Sequence, residues 1–188
     1  MEIKPEIRYL NDMKMVLYDQ KWAKKAPDFE VYYMYRGVKK KNGLRYDITV
    51  IPPRTLGKEF VKTKGHEHSG NYSEIYIVLK GEAIYLIQKG KGNNIEDVYV
   101  VKAKKGNAVP VPRGYSHVTI NYSKKMLREA NWSNEKCKNI YDLFEKKRGA
   151  CYYYTKEGWI KNKNYDIVPK LHFEKPLKKL PKNLNFLK

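Results

Sequence analysis

The sequence has 188 residues and carries 39 Lys and Arg against 20 Asp and Glu, a formal charge of +19. That length predicts a single domain, 1–188, with enough chain to bury a real core. No apolar run reaches the roughly 18 residues of a membrane helix, and the charged N-terminus MEIKPEIRYLNDMKMVLYDQ has no signal-peptide core, so a cytoplasmic protein is the expectation.

From the N-terminus, Asn11 to Trp22 is the first helix candidate, and it is short. Arg45 to Ile51 alternates as a strand does and stops at Pro52-Pro53, which cannot continue a ladder. Lys58 to His68 reads as extended. Glu74 to Leu79 is rich in β-branched and aromatic residues and stops at Lys80-Gly81, with Ala83 to Ile87 following at once, so the two predict a hairpin around Gly81. Val98 to Ala103, Ala108 to Val111 and His117 to Ile120 complete a series of short strands separated by turn signals. That series predicts an all-β sandwich or barrel. Ile140 to Lys147 is a second short helix candidate. Beyond it, Pro169, Pro176 and Pro181 stand among lysines and leucines, in an arm expected to pack on a neighbouring molecule or trail in solvent. The lysines are otherwise scattered, and no nucleic-acid-binding pattern accompanies them, so nucleic acid is not the expected partner. Their charge suits an anionic small molecule or a solvated surface. Cys137 and Cys151 form no CxxC pair and lie away from the histidines in sequence, which predicts free thiols and no ligation.

Three of the four histidines fall in two patterned segments. His66 and His68 are two residues apart, a spacing that puts both imidazoles on one face of a strand. Glu74 adds a carboxylate, and His117 closes the set from a distant strand. Three imidazoles and one carboxylate suit a first-row divalent metal with positions left open for a substrate. Gly65 and Gly81 bracket the first segment, Gly106 and Gly114 punctuate the second, and Pro112 stiffens the turn before His117.

These segments resemble the two cupin motifs. Gly106, Pro112, Gly114, His117 and Asn121 match the second motif at every position and gap, and His66-x-His68, Glu74 and Gly81 match the first more loosely. Around the first motif, Gly57-Lys58-Glu59-Phe60 and Thr63-Lys64-Gly65-His66-Glu67-His68, followed by Glu74-Ile75-Tyr76-Ile77-Val78-Leu79-Lys80-Gly81, resemble archaeal cupin-type phosphoglucose isomerases. The similarity runs from about 31 to about 141. It implies a cupin β-barrel (jelly-roll) with short terminal helices, whose core is flanked by an N-terminal arm and a basic, Pro-containing C-terminal arm. It also implies a homodimer and one divalent metal per chain held by His66, His68, Glu74 and His117. Fe2+ is the first expectation for that metal, with Mn2+, Ni2+ or Zn2+ as alternatives. The substrate implied is a phosphorylated sugar, interconverted between glucose 6-phosphate and fructose 6-phosphate, with contacts falling on Tyr32, Thr49, Thr63, Gly65 and Tyr141.

Within this scheme Glu74 is the base candidate, as the one carboxylate of the ligand set, and Tyr76, two residues on and on the same strand face, polarises a hydroxyl. A proton route through an enediolate and a metal-templated hydride shift both remain open. The sequence departs from the family pattern around Trp132 to Tyr141, where Trp132 replaces a tyrosine, one residue is added and no histidine remains. The loop from His68 to Glu74 is also one residue longer than is common for cupins. These departures keep two alternatives in view: a cupin with other metal chemistry, dioxygenase-like, and a non-catalytic sugar-phosphate-binding paralogue.

Overall fold

The computed structural model describes residues 3–188. Its first strands are Glu6–Tyr9 (β1), Glu30–Lys41 (β2), Leu44–Ile51 (β3), Thr55–Leu56 (β4), Glu59–Lys62 (β5) and Glu67–His68 (β6). Then come Glu74–Lys80 (β7), Glu82–Lys91 (β8), Asn94–Lys104 (β9), Ala108–Val111 (β10), Ser116–Asn121 (β11) and Leu127–Asn134 (β12). Asn139–Ile140 (β13), Tyr152–Thr155 (β14), Gly158–Lys161 (β15) and His172–Glu174 (β16) complete the set. One sheet has the order β1-β2-β3-β12-β7-β10, and the other β15-β14-β5-β11-β8-β9-β16. If β3, β5 and β7 to β12 are counted one to eight, the central strands read 1-8-3-6 in one sheet and 2-7-4-5 in the other. That is the double Greek key of a jelly roll, so the expected cupin β-barrel is the fold.

Every position of β11 is buried, and β8 is buried from Ala83 to Gln88, so these strands form the centre of the second sheet. The predicted hairpin turns at Gly81, at φ +81°, where an added Cβ would stand 2.6 Å from the Met126 carbonyl. No described helix is long and apolar enough to cross a membrane.

The helix expected over Asn11 to Trp22 splits. A 3-10 turn covers Lys14–Val16, and an α-helix, Gln20–Lys25 (α1), begins only after Asp19, whose side chain accepts from the Trp22 amide at 3.1 Å. The second expected helix opens on Ile140, the last residue of strand β13, and becomes helical over Asp142–Lys146 (α2). The extended run from Lys58 breaks after Lys62. His66 is held instead by a bridge to His117, with N–O distances of 3.3 and 3.2 Å.

The C-terminal arm departs from expectation. It returns to its own barrel, with β16 running parallel to β9 and Leu177 exchanging backbone hydrogen bonds with Ala108 at 2.8 and 3.0 Å. Trp132, Ile75 and Leu44 make an apolar strip on the outside of the first sheet. The arm covers it with Leu180, Leu184 and Leu187, and Leu187 is fully buried. That apolar area, exposed to water without a cover, is the physical reason the arm docks. Leu187→Ala should therefore lower the unfolding free energy by about 2–4 kcal/mol, read from urea midpoints. A change within error would mean that the arm contributes nothing to the barrel.

Candidate metal centre and substrate cavity

The first sheet places the site by register. Glu74 on β7 lies opposite Ser133 on β12, and Ser133 lies opposite Arg45 on β3. The next rows along the barrel are Tyr76, Asn131 and Asp47, then Val78, Glu129 and Thr49. Because strand residues alternate in direction, Glu129, Asn131 and Ser133 share one face of β12 and Trp132 takes the other. Trp132 packs against Tyr46 with ring centroids 4.9 Å apart, on the outer surface. Its replacement of the family's tyrosine therefore does not alter the cavity wall.

The second sheet delivers His117 from β11, and the bridge across to His66 sets those two imidazoles 4.4 Å apart, edge to face. Glu74 Oε2 lies 3.1 Å from His68 Nε2, 3.3 Å from His117 Nε2 and 3.9 Å from His66 Nε2. The ligand atoms of the four residues all fall within 4.8 Å of one another. Two contacts aim the set. Asn131 Nδ2 donates to Glu74 Oε1 at 2.5 Å, which turns the other oxygen to the imidazoles. His68 Nδ1 stands 3.2 Å from the Tyr72 carbonyl, and donation there fixes the ring with Nε2 toward Glu74.

A divalent cation suits this donor set. His66 Nε2 is buried with no hydrogen-bond partner, and an ion among the four groups would supply one. Protonation states agree. Burial and the neighbouring His117 push His66 well below its ordinary value, and burial pushes His117 down to about 4, so both are neutral ligands at physiological pH. Burial opposes the charge on Glu74, but the hydrogen bond from His68 and the nearby imidazoles outweigh it and hold the carboxyl well below the usual range. His68 moves up instead: burial lowers it, and its bond to Glu74 more than compensates.

Beside this cluster lies a narrow cavity of about 30 Å³, lined by Tyr32, Thr49, Thr63, Gly65, His66, Glu74, Tyr76 and Tyr141. All five expected sugar-phosphate contacts thus face one space, while His68 and His117 stand behind Glu74. Next to Tyr141, Lys64 and Glu145 form an ion pair at 2.5 Å, with Lys64 also lying over the Tyr141 ring. Thr63 Oγ1 accepts from the Thr119 amide at 3.0 Å and Tyr32 Oη from the Lys64 amide at 3.2 Å, so each hydroxyl keeps its proton for a ligand. Gly65 sits at φ +81°, and a Cβ there would meet the Phe144 ring at 2.5 Å, which is why the chain passes this point without a side chain.

Sequence reasoning missed Arg36, Arg45, Glu129, Asn131 and Asn139, which also line the cavity. The alternation of Glu129, Asn131 and Ser133 was the available signal, but polar residues at period two read as a loop when nothing shows that they face a polar cavity. Cys137 is a free thiol, as expected, and burial together with the Glu74 carboxylate pushes it up to about 11.

Glu129 is 1% exposed and accepts from the Tyr85 hydroxyl at 2.5 Å. Burial raises its carboxyl from 4.5 to about 8. A group raised on folding contributes stability that is full below its unfolded value and is lost as pH rises through the folded one. Glu129→Gln in metal-free protein should therefore gain on the parent as pH rises from about 5 to about 9, measured by urea unfolding. A pH-independent difference would show that Glu129 is not buried as the neutral acid.

Comparison with known proteins places these features in a family. The family described as Glucose-6-phosphate isomerase (GPI) matches residues 7–170. The glucose-6-phosphate isomerase of Thermococcus litoralis is 33% identical over 129 residues, 65% of each chain. That of Pyrococcus abyssi is 35% identical over 121 residues, 61% of this chain and 62% of the relative. The chain thus matches slightly under two thirds of the length of these relatives. Among solved structures, an oxalate oxidase aligns over 55% of this chain and 50% of its own, at 20% identity and TM-score 0.44. The oxalate decarboxylase of Lactobacillus farciminis aligns over 57% of this chain and 30% of its own, at 16% identity and TM-score 0.45. With the family match running from β1 to beyond β15, the chain belongs to the glucose-6-phosphate isomerase family, in its cupin-type branch.

Proposed function

We propose that this chain is a metal-dependent aldose–ketose isomerase interconverting glucose 6-phosphate and fructose 6-phosphate. The observation that carries the reading is that one cavity is lined both by His66 and Glu74 of the metal-type cluster and by hydroxyl and amide donors suited to a sugar phosphate. His66, His68, Glu74 and His117 hold the ion, for which Fe2+ is proposed. Mn2+, Ni2+ and Zn2+ fit the same nitrogen and oxygen donors. When bound, a divalent metal supplies stabilisation of negative charge on the sugar oxygens.

The chain's own residues move the proton. Glu74, ionised, takes the C2 proton of the aldose and returns it to C1, while the hydroxyl proton passes from O2 to O1. Tyr76 lies 2.8 Å from His117 Nε2 through its hydroxyl, and burial together with Glu74 keeps its phenol un-ionised, able to donate to a sugar oxygen. Tyr32, Thr49, Thr63, Tyr141 and the Gly65 amide orient the sugar phosphate, and binding of that non-reacting end positions C1 and C2.

Turnover of fructose 6-phosphate with and without added Fe2+ tests the reading. Glu74→Gln should cut kcat by roughly 10²–10⁴-fold and suppress incorporation of solvent deuterium at C2 of glucose 6-phosphate. Thr63→Val should raise KM and spare metal content, while replacing His66 and His68 together by Ala should abolish stoichiometric metal. Deuterium-free product from active protein would favour the hydride shift. Binding of fructose 6-phosphate by metal-loaded protein without conversion would replace the isomerase with a sugar-phosphate-binding paralogue, the second reading that the departures near Tyr141 support.

A cytoplasmic homodimer is the proposed assembly. Among the described residues strand β1 leaves one edge of the first sheet unpaired, and Tyr35, Val38, Ile48, Val50 and Met126, with Lys80 and Arg128, line a groove on its outer face. Solution scattering should give twice the 22.3 kDa chain mass at micromolar concentration. A monomer mass across that range would exclude the dimer.

A further inference from the structure

Glu129 is the cavity acid that proton transfer by Glu74 leaves unused. It lines the space, is 1% exposed, and has no Lys, Arg or His paired with it among the described residues. Arg36 and Arg45 are held by Asp47, and Lys64 by Glu145. A carboxylate buried without a cation is costly, so the group folds in as the neutral acid. Burial raises it to about 8 and Glu74 adds to the rise, against hydrogen bonds with the Tyr85 and Thr119 side chains. Tyr85 donates its hydroxyl to Oε2 at 2.5 Å. The cavity thus holds one ionised carboxyl, Glu74, and one protonated carboxyl, Glu129, the division that separates a base from an acid.

Its place along the barrel fits one task. Asn131 and Glu129 follow each other on one face of β12. Asn131 reaches Glu74 Oε1, and Glu129 stands one row, roughly 7 Å, beyond it. There it lies opposite Thr49, and Thr119, which hydrogen-bonds it, also donates its amide to Thr63 Oγ1. Glu129 is therefore on the far side of Asn131 from the base, beside Thr49 and Thr63, two of the contacts expected for the sugar phosphate. Hexose 6-phosphates are closed rings in water, and isomerisation at C1 and C2 needs the open chain. Glucose 6-phosphate and fructose 6-phosphate both close through the oxygen on C5, the carbon beside the one that carries the phosphate. An acid that opens either ring must meet that oxygen, between the reacting carbons and the phosphate.

We propose that Glu129 is the ring-opening acid of the site. Its proton passes to O5 as the C1–O5 bond of glucose 6-phosphate breaks, and the bonding pair stays on O5. O1 gives its proton to water and becomes the aldehyde oxygen. In fructose 6-phosphate the C2–O5 bond breaks in the same way. On closure O5 returns its proton to Glu129, and the former carbonyl oxygen takes one from water. Between the two steps the hydrogen bonds of Tyr85 and Thr119 hold the Glu129 carboxylate. The proposal rests on the sugar-phosphate isomerase reading, and it gives Glu74 an open chain to act on.

The test separates ring opening from isomerisation. The probe 2-deoxyglucose 6-phosphate has no C2 hydroxyl, so it opens and closes but cannot become a ketose. Metal-loaded parent protein should speed exchange between its anomers, followed by NMR. That gain over the protein-free rate should fall as pH rises through about 8 and the acid loses its proton. Glu129→Gln should remove the gain and cut kcat on fructose 6-phosphate by roughly 10²-fold. The deficit should vanish with 5-deoxyfructose 6-phosphate, which has no ring to open. Tyr85→Phe should lower both activities in part, and it reads the same role if the Gln variant fails to fold. A folded Gln variant that keeps the gain would overturn the proposal. So would an equal deficit on 5-deoxyfructose 6-phosphate, or a parent that isomerises fructose 6-phosphate without speeding anomer exchange. Exchange that depends on Glu129 in a protein that never converts fructose 6-phosphate would instead uphold the acid and sink the isomerase.

Discussion

The carboxylate of Glu74 is buried and ionised, and a charge in that position is tolerated only if its surroundings compensate for lost water. The compensation comes from across the whole barrel. Asn131 reaches it from the neighbouring strand, His117 arrives from the opposite sheet, and His66 is pinned to His117 by backbone hydrogen bonds. Bringing these groups within reach of one carboxylate requires the two sheets to face each other in a single register. A slip of one residue on β12 would turn Asn131 outward and Trp132 into the site. Closure of the barrel and assembly of the candidate centre are therefore the same event.

Strand β12 makes this dependence concrete, because its two faces answer to different solvents. Inward, Glu129, Asn131 and Ser133 meet a polar cavity. Outward, Trp132 joins Leu44 and Ile75 in an apolar strip that needs the C-terminal arm as its cover. Stability outside the barrel and chemistry inside it are tied to one run of eight residues. The same alternation explains why this strand could not be recognised from the sequence. Binary patterning assigns polar residues to solvent, and here the polar side is the inside.

What the sequence did disclose shares one property: it is local. The strands Arg45 to Ile51, Glu74 to Leu79 and Ala83 to Ile87 carry their pattern in consecutive residues, and His66-x-His68 and the Gly106-to-Asn121 spacing are local as well. What stayed hidden depends on distant partners. The parallel pairing of β16 with β9 joins segments some seventy residues apart, His172 against Tyr99. Helix α1 starts where Asp19 finds the Trp22 amide rather than at the first apolar residue. Arg36 became a cavity residue through a bulge that no periodicity announces.

The overall excess of +19 is also a poor guide to the site, because surface lysines are screened by solvent and salt over a Debye length of about 10 Å at 0.1 M. The charge that matters to a bound ligand is the small set enclosed with it. Glu129 and the His66 and His117 imidazoles are neutral, and Lys64 cancels against Glu145. Glu74 and Asp47 are offset by Arg36 and Arg45, and Arg8, over the ring of Tyr141, leaves the balance of the protein groups positive. The divalent ion proposed for the four-residue cluster would add to that excess. A phosphate monoester carries about −1.5 to −2 at neutral pH, which opposes it, whereas a free sugar brings no charge to do so.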